Sequence, residues 1–121
     1  ERKYVYAEPR LLDLDAMRRA AAQLCGRHEF SAFSTGKKTG RAATRTIEAI
    51  GIERCGEEVR LTYTGDGFLY NMVRILTGTL LEVGLGERRP DDMEAILASH
   101  SRASAGFTAP AQGLFLWDVT Y

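Results

Sequence analysis

The longest apolar stretch of the chain, GDGFLYNMVRILTGTLLEVGLG at residues 65–86, has the spacing of an amphipathic helix. At roughly 100° per residue its apolar side chains, Tyr70 included, cover most of the helix circumference. The polar remainder is a narrow stripe of Asn71, Arg74, Gly78 and Glu82. The pattern therefore predicts a central helix from about residue 67 to residue 83, packed against neighbours on most sides.

Arg74 is the one basic residue within this run. A guanidinium stays charged inside a protein, and an unpaired charge in an apolar interior is costly. Arg74 therefore needs either an acidic partner or a water-filled opening, and we expect the packing to open beside it. Gly78, one turn later, would leave room for an approaching backbone or side chain. An ion pair with Glu82 is the structural alternative, although eight residues is too long a spacing for direct helical neighbours.

The other patterns predict both helices and strands. Asp13 is a plausible N-cap for a first helix that closes at Gly26, and Pro90 opens a later, shorter helix. Strands are predicted at residues 4–6, 44–53, 58–64 and 114–121. The order β, α, β, β, α, α, β predicts an α+β fold, an antiparallel sheet with helices packed on one face. We expect a single domain over residues 1–121.

Composition restricts the class of protein. With 121 residues and 45% hydrophobic content, the chain has enough apolar material for its own core. It contains neither an apolar run of membrane-spanning length nor an apolar signal segment at its start, so we expect a cytoplasmic protein without a membrane partner. Cys25 and Cys55 are predicted to be buried thiols, and His28 and His100 are too isolated to suggest a metal site.

Charge is balanced overall but not locally. The formal net charge is zero, which argues against a uniformly basic nucleic-acid binder. Between Phe30 and Ile47, however, no acidic residue occurs, and this stretch carries Lys37, Lys38, Arg41 and Arg45. It is either a local anion-binding patch or a solvated loop. Its STGKKTG segment does not match a phosphate-binding P-loop, because Ser31 stands where the first glycine is needed and Lys38 follows Lys37.

Five segments together form a recognisable series: HEFSAF at residues 28–33, TRTI at 44–47, GDGFLYNMVRILTGTLLEVG from residue 65, the short helix after Pro90, and TAPAQGLFLWDVTY at the end. In this order they resemble the C-terminal half of the bacterial tRNA pseudouridine synthase A family. The resemblance covers essentially the whole chain. The GFLYNMVR block and the AP..GL.L..V.Y ending are specific in combination, whereas either alone would only be suggestive.

The resemblance implies an isomerase that converts uridine to pseudouridine in the tRNA anticodon stem-loop without cofactor or metal. In that family the essential aspartate lies in a GRTDAGVHA-like loop of the N-terminal half, which this chain lacks, so we expect a fragment that is inactive by itself. The arginine of the MVR motif, here Arg74, pairs with that aspartate. Tyr70 would line the same opening, and Leu114 matches a position near the target base, although both are equally expected as structural side chains.

The same resemblance implies tRNA, the protein's own N-terminal half and a second copy of the chain as partners. It favours an RNA-binding role for Lys37, Lys38, Arg41 and Arg45, which could neutralise phosphates of a stem-loop. A noncatalytic RNA-binding or assembly domain is the alternative function. The two differ in whether a domain with the aspartate loop precedes this chain in the parent protein.

Overall fold

The computed structural model of the protein describes residues 2–6, 12–56, 58–110 and 115–119. Within them, five strands form one antiparallel sheet in the order β2-β3-β4-β1-β5. The strands are β1 (Arg2–Tyr6), β2 (Gly26–Glu29), β3 (Thr44–Cys55), β4 (Glu58–Gly65) and β5 (Phe115–Val119). The predicted α+β class is confirmed. Strand β2, which the sequence pattern did not predict, is an additional edge strand paired with the start of β3.

Three helices accompany the sheet: α1 (Leu14–Leu24), α2 (Met72–Gly84) and α3 (Met93–Ser99). The predicted N-cap of α1 is confirmed, since Oδ1 of Asp13 accepts a hydrogen bond from the backbone of Ala16 at 3.0 Å. Short 3-10 turns cover Ser31–Phe33, Gly40–Ala43, Pro90–Asp92 and Arg102–Ser104. None of the helices in the described ranges is long and apolar enough to span a membrane.

Alternation along β4 produces the core side of the sheet. Val59, Leu61 and Tyr63 are fully buried, whereas the residues between them are partly exposed. Helix α2 packs almost entirely inside, as its apolar pattern predicts, and the hydroxyl of Tyr63 bonds that of Thr77 on α2 at 2.7 Å. Burial of each of these aromatic and aliphatic side chains stabilises the folded state by about 1.5 to 3 kcal/mol. The sheet and α2 therefore form the rigid base of the molecule.

The predicted start of the central helix is wrong by five residues. Helix α2 begins at Met72, because Gly67 and Asn71 both have positive φ, at 155° and 59°, which a right-handed helix cannot accommodate. Phe68 and Leu69 pack against the core from a turn, so their apolar spacing imitates a helix. The prediction that Tyr70 belongs to the apolar face is also wrong, since its side chain is 72% exposed.

The two cysteines differ from expectation in their burial. Cys25 and Cys55 are both half-buried free thiols rather than buried ones. Each stands at the end of an element, Cys25 just after α1 and Cys55 as the last residue of β3, where packing is incomplete. Burial, only partly offset by a backbone hydrogen bond from Ile50, still raises the pKa of the Cys25 thiol above its ordinary value.

Candidate functional site

A tight connection between β4 and α2 positions the candidate site. Asp66 closes the end of the β3–β4 hairpin, because its backbone donates to Thr46 O at 3.1 Å and its carboxylate accepts from Thr46 N at 2.9 Å. The chain then turns through residues 67–71 before α2 begins. The left-handed backbone of Asn71, a conformation that asparagine tolerates better than most residues, directs Tyr70 outward and starts the helix.

Arg74 lies on the first turn of α2 and is held by two hydrogen bonds within the chain. Its Nε donates to the backbone oxygen of Ala109 at 2.7 Å, and its Nη1 donates to Oδ1 of Asn71 at 3.3 Å. Among the residues that the structure describes, no carboxylate pairs with Arg74. Glu82 is engaged elsewhere, with Nε of Arg88 at 3.0 Å, so the alternative of an Arg74–Glu82 ion pair is wrong.

Residues 105–109 form a strap that crosses the side of α2 that carries Arg74, Gly78 and Glu82. Ala109 N donates to Arg74 O at 3.0 Å, and Gly106 N donates to the hydroxyl of Thr79 at 2.9 Å. The strap approaches closely because Gly78 has no side chain: a Cβ there would come within 1.8 Å of Phe107 O. Gly78 therefore leaves room for a neighbouring backbone, as predicted, although Gly78 itself is buried by that contact.

Arg74 opens onto a groove of about 320 Å³ between α2, the preceding turn and the start of β1. Phe68, Tyr70, Asn71 and Arg2 also line it. The guanidinium of Arg2 lies 5.3 Å from the centre of the Phe68 ring, which is cation–π distance. The side chains of Arg2 and Arg74 thus line one concave surface, where the guanidinium of Arg74 could bind an anionic group.

A second cavity, of about 190 Å³, adjoins the first along the Tyr70 turn. Its walls carry Lys37, Lys38 and Arg45 together with Phe68, Leu69 and Tyr70, and the last three also line the Arg74 groove. Three of the four predicted RNA-binding residues are therefore brought together. Arg41 is exposed on the 3-10 turn Gly40–Ala43 and does not line this cavity.

The carboxylate of Glu29 holds both ends of the lysine-bearing loop. It accepts hydrogen bonds from the backbone of Ser31 at 2.5 Å and of Gly40 at 3.1 Å, and it contacts Nδ1 of His100 at 3.1 Å. Burial alone would raise the pKa of Glu29, but hydrogen bonds from Ser31 and Gly40 and the charge of His100 outweigh it and lower that pKa. The loop is therefore fixed at its base by an ionised group.

Comparison with known proteins decides the family. The family described as tRNA pseudouridine synthase matches residues 20–121. This chain belongs to the tRNA pseudouridine synthase family. It is 49% identical over 110 residues to tRNA pseudouridine synthase A of Brevibacillus brevis, covering 91% of the chain and 45% of the relative. It is 43% identical over 122 residues to tRNA pseudouridine synthase A of Oceanobacillus iheyensis, covering 100% of the chain and 48% of the relative.

A third relative of this family, tRNA pseudouridine synthase A of Acetivibrio thermocellus, is 47% identical over 110 residues, again 91% of the chain and 45% of the relative. The chain therefore spans about half the length of the curated relatives it matches.

Sequence patterning singled out several residues that line the two cavities. Arg74 and Tyr70 line one groove, and Lys37, Lys38 and Arg45 line the adjoining cavity. Leu114 lies outside the described residues. Patterning missed Arg2, because a single arginine just before the predicted strand at residues 4–6 carries no local signal of a site. The role of Asn71 was also missed, although its place on the polar stripe beside Arg74 was a usable signal.

Proposed function

We propose that this chain is the C-terminal half of a tRNA pseudouridine synthase and supplies the arginine side of an active site between two halves. The observation that carries the proposal is the guanidinium of Arg74, anchored within the chain yet without a carboxylate partner among the described residues, at the edge of an open groove. An aspartate from the other half of the protein would complete the pair. That half corresponds to the part of the relatives that this chain does not match.

The geometry of Arg74 favours one mode of pairing. Its Nε is already used by Ala109 O, so a carboxylate cannot bind along the Nε edge. The end of the fork formed by Nη1 and Nη2 keeps donors for a carboxylate, because Nη1 makes only a long bond of 3.3 Å to Asn71 and no hydrogen bond of Nη2 is found among the described residues. Two parallel N–H donors at this end match the two oxygens of a carboxylate.

Such a pair would serve the reaction in two ways. A nearby positive charge keeps the carboxylate ionised when the substrate displaces water, and the two hydrogen bonds fix its direction. The aspartate would act as the nucleophile while the bond between N1 of uracil and C1′ breaks. A new bond between C5 and C1′ then forms and releases the carboxylate; C5 loses its hydrogen as a proton and N1 takes one up, so the product is an isomer of the substrate.

The remaining site residues have supporting roles in this proposal. Tyr70 would contact the nucleotide in the groove, and Leu114 would lie near the target base. Lys37, Lys38, Arg41 and Arg45 would contact phosphates of the tRNA anticodon stem-loop, which helps to offset the few kcal/mol needed to extrude a stacked uridine. We further propose that the full-length protein acts in the cytoplasm as a homodimer, with no cofactor or metal.

Release of tritium from tRNA labelled at C5 of uridine tests this function. The full-length protein should release tritium from an unmodified tRNA transcript, and residues 1–121 alone should release none, because they lack the nucleophile. Turnover by the isolated 121-residue chain would contradict the proposal. Failure of the full-length protein to release tritium, while it still binds tRNA, would instead support the noncatalytic RNA-binding alternative.

A further inference from the structure

Tyr70 is the most exposed of the large hydrophobic side chains among the described residues. It is 72% exposed, against 45% for Leu85 and 44% for Phe107. An aromatic ring left in water forgoes the stabilisation that burial would give it. Tyr70 is, moreover, one of the residues shared by the Arg74 groove and the lysine-lined cavity.

The backbone beneath this exposed ring is firmly held. Tyr70 O accepts hydrogen bonds from the hydroxyl of Ser34 at 3.1 Å and from Thr35 N at 3.4 Å. The side chain of the next residue, Asn71, donates to the hydroxyl of Thr35 at 3.0 Å. Gly36 brings the loop close, since a Cβ there would lie 3.6 Å from Cβ of Tyr70. An exposed ring on a pinned backbone is a preorganised contact surface.

The charges around the ring select the class of ligand. Lys37, Lys38 and Arg45 lie on one side, and the groove whose Arg74 is assigned to the catalytic carboxylate lies on the other. No acidic residue lines either cavity in the described part of the chain. A ligand that alternates planar aromatic groups with negative charges fits an exposed ring that lies beside basic side chains. Single-stranded RNA has that composition.

We propose that Tyr70 is a stacking platform for an unpaired base of the RNA adjacent to the uridine that reacts in the Arg74 groove. The phosphate next to that stacked base would lie toward Lys37, Lys38 and Arg45. This inference rests on the proposed function, to which it adds a second nucleotide subsite. Stacking on an aromatic face needs no particular base, so the platform would hold the neighbouring nucleotide unstacked from the helix whatever its identity.

The test uses the full-length enzyme with Tyr70→Phe and Tyr70→Leu, and with Leu85→Ala as an exposed apolar control outside both cavities. Stacking predicts that Phe binds tRNA like wild type, whereas Leu binds about 5- to 150-fold more weakly. The slope of affinity against salt should not change in the Leu variant, because no charge is lost. Turnover at saturating tRNA should fall less than affinity.

The fluorescent base 2-aminopurine, placed in turn on each side of the modified uridine, reports stacking directly. Its fluorescence should be quenched in complexes with wild type and Tyr70→Phe at one of these positions, and the quenching should be lost with Tyr70→Leu. Equal quenching by all three proteins would overturn the inference, and so would a ring covered by the other half of the protein. The latter would appear as a lower melting temperature of Tyr70→Leu without RNA and unchanged quenching. Tritium release by the wild-type protein tests the proposed function separately. Failure of the proposed function and failure of the stacking role of Tyr70 can therefore be told apart.

Discussion

Arg74 and Ala109 exchange two hydrogen bonds: Nε of Arg74 donates to Ala109 O at 2.7 Å, and Ala109 N donates to Arg74 O at 3.0 Å. The first turn of α2 and the strap are thereby joined through both the side chain and the backbone of one residue. A displacement of the strap must consequently displace the guanidinium. The position of the Arg74 guanidinium thus depends on the contacts that the strap makes further along α2.

Gly78→Ala tests this dependence. The new Cβ would lie 1.8 Å from Phe107 O, so the strap must move away from the helix. We expect a loss of stability of about 1 to 3 kcal/mol and a clear fall in the turnover of the full-length enzyme. Gly51→Ala is the matched control, because its Cβ would meet no atom closer than 3.8 Å. Thermal unfolding and tritium release are measured for both variants. An unchanged melting temperature and an unchanged turnover in Gly78→Ala would show that the strap does not position Arg74.

The ion pair between Glu82 and Arg88 also ties the strap region to α2. Both side chains are about four-fifths buried, with 19% and 23% exposure, and Arg88 additionally donates to Ser104 O at 2.9 Å. We expect Glu82→Gln to cost about 2 kcal/mol, a typical value for hydrogen bonds to charged groups. Asp15→Asn, which removes an exposed pair with Arg18, should cost no more than about 0.5 kcal/mol. Urea unfolding measures the loss of stability in each variant. Equal losses would show that burial does not strengthen the pair between Glu82 and Arg88.

Glu29 gives a prediction for pH. Its pKa is lowered in the folded protein, so its contribution to stability is fully present above the unfolded value near 4.5 and is lost as the pH falls through the lower folded value. Glu29→Gln should therefore lower the melting temperature most at neutral pH, and the difference from wild type should shrink in acid. Amide exchange at residues 34–40 should accelerate in the variant at neutral pH. A difference in melting temperature that grows toward acid would show that the ionised form of Glu29 is not the form that stabilises the fold.

Most of the fold follows from local patterns in the sequence. Alternation identified β4, and Asp13 marked the start of α1, because these signals depend only on neighbouring residues. The start of α2 could not be found this way. Phe68 and Leu69 are apolar for reasons of tertiary packing, and only the positive φ of Gly67 and Asn71 reveals the turn. Strand β2 was missed because GRHE lacks both alternation and β-branched residues.

The candidate site was less accessible to such patterns. Arg74 stood out because a charge in an apolar run requires an explanation. Its partner Ala109 is 35 residues away and contributes a backbone oxygen, which no sequence pattern marks. Lys37 and Lys38 could be grouped with Arg45 by composition, but only the structure separates Arg41 from them. Local sequence patterns therefore do not predict which residues far apart in the chain lie together in the fold.

The lysine-lined cavity predicts a dependence on salt. Lys37→Ala combined with Lys38→Ala should weaken tRNA binding by the full-length enzyme and reduce the salt slope by about two, one for each lost phosphate contact. Arg19→Ala with Arg54→Ala removes the same charge from exposed positions outside both cavities and is the control. Filter binding between low and high salt compares them. Identical slopes for the two double variants would mean that the lysines belong to a solvated loop.

Arg74 itself is best tested by replacement with Lys and Ala in the full-length enzyme. Both replacements lose the bond to Ala109, so both should destabilise the protein by about 1 to 3 kcal/mol. Only Ala also removes the charge that would face the catalytic carboxylate. Affinity for tRNA should be nearly unchanged in both, because the lost contact is with a protein group. Val59→Ala, which removes buried core volume at the end of β4 opposite the turn that leads into α2, controls for the loss of stability.

The most direct test of the arginine role is the single-turnover rate of pseudouridine formation, measured at a temperature where all three variants are folded. We expect Arg74→Ala to react about 100-fold or more slowly than wild type, Arg74→Lys to retain part of the rate, and Val59→Ala to stay near wild type. A near-wild-type rate for Arg74→Ala, or an equal loss in Val59→Ala at equal stability, would contradict a guanidinium that orients the nucleophile.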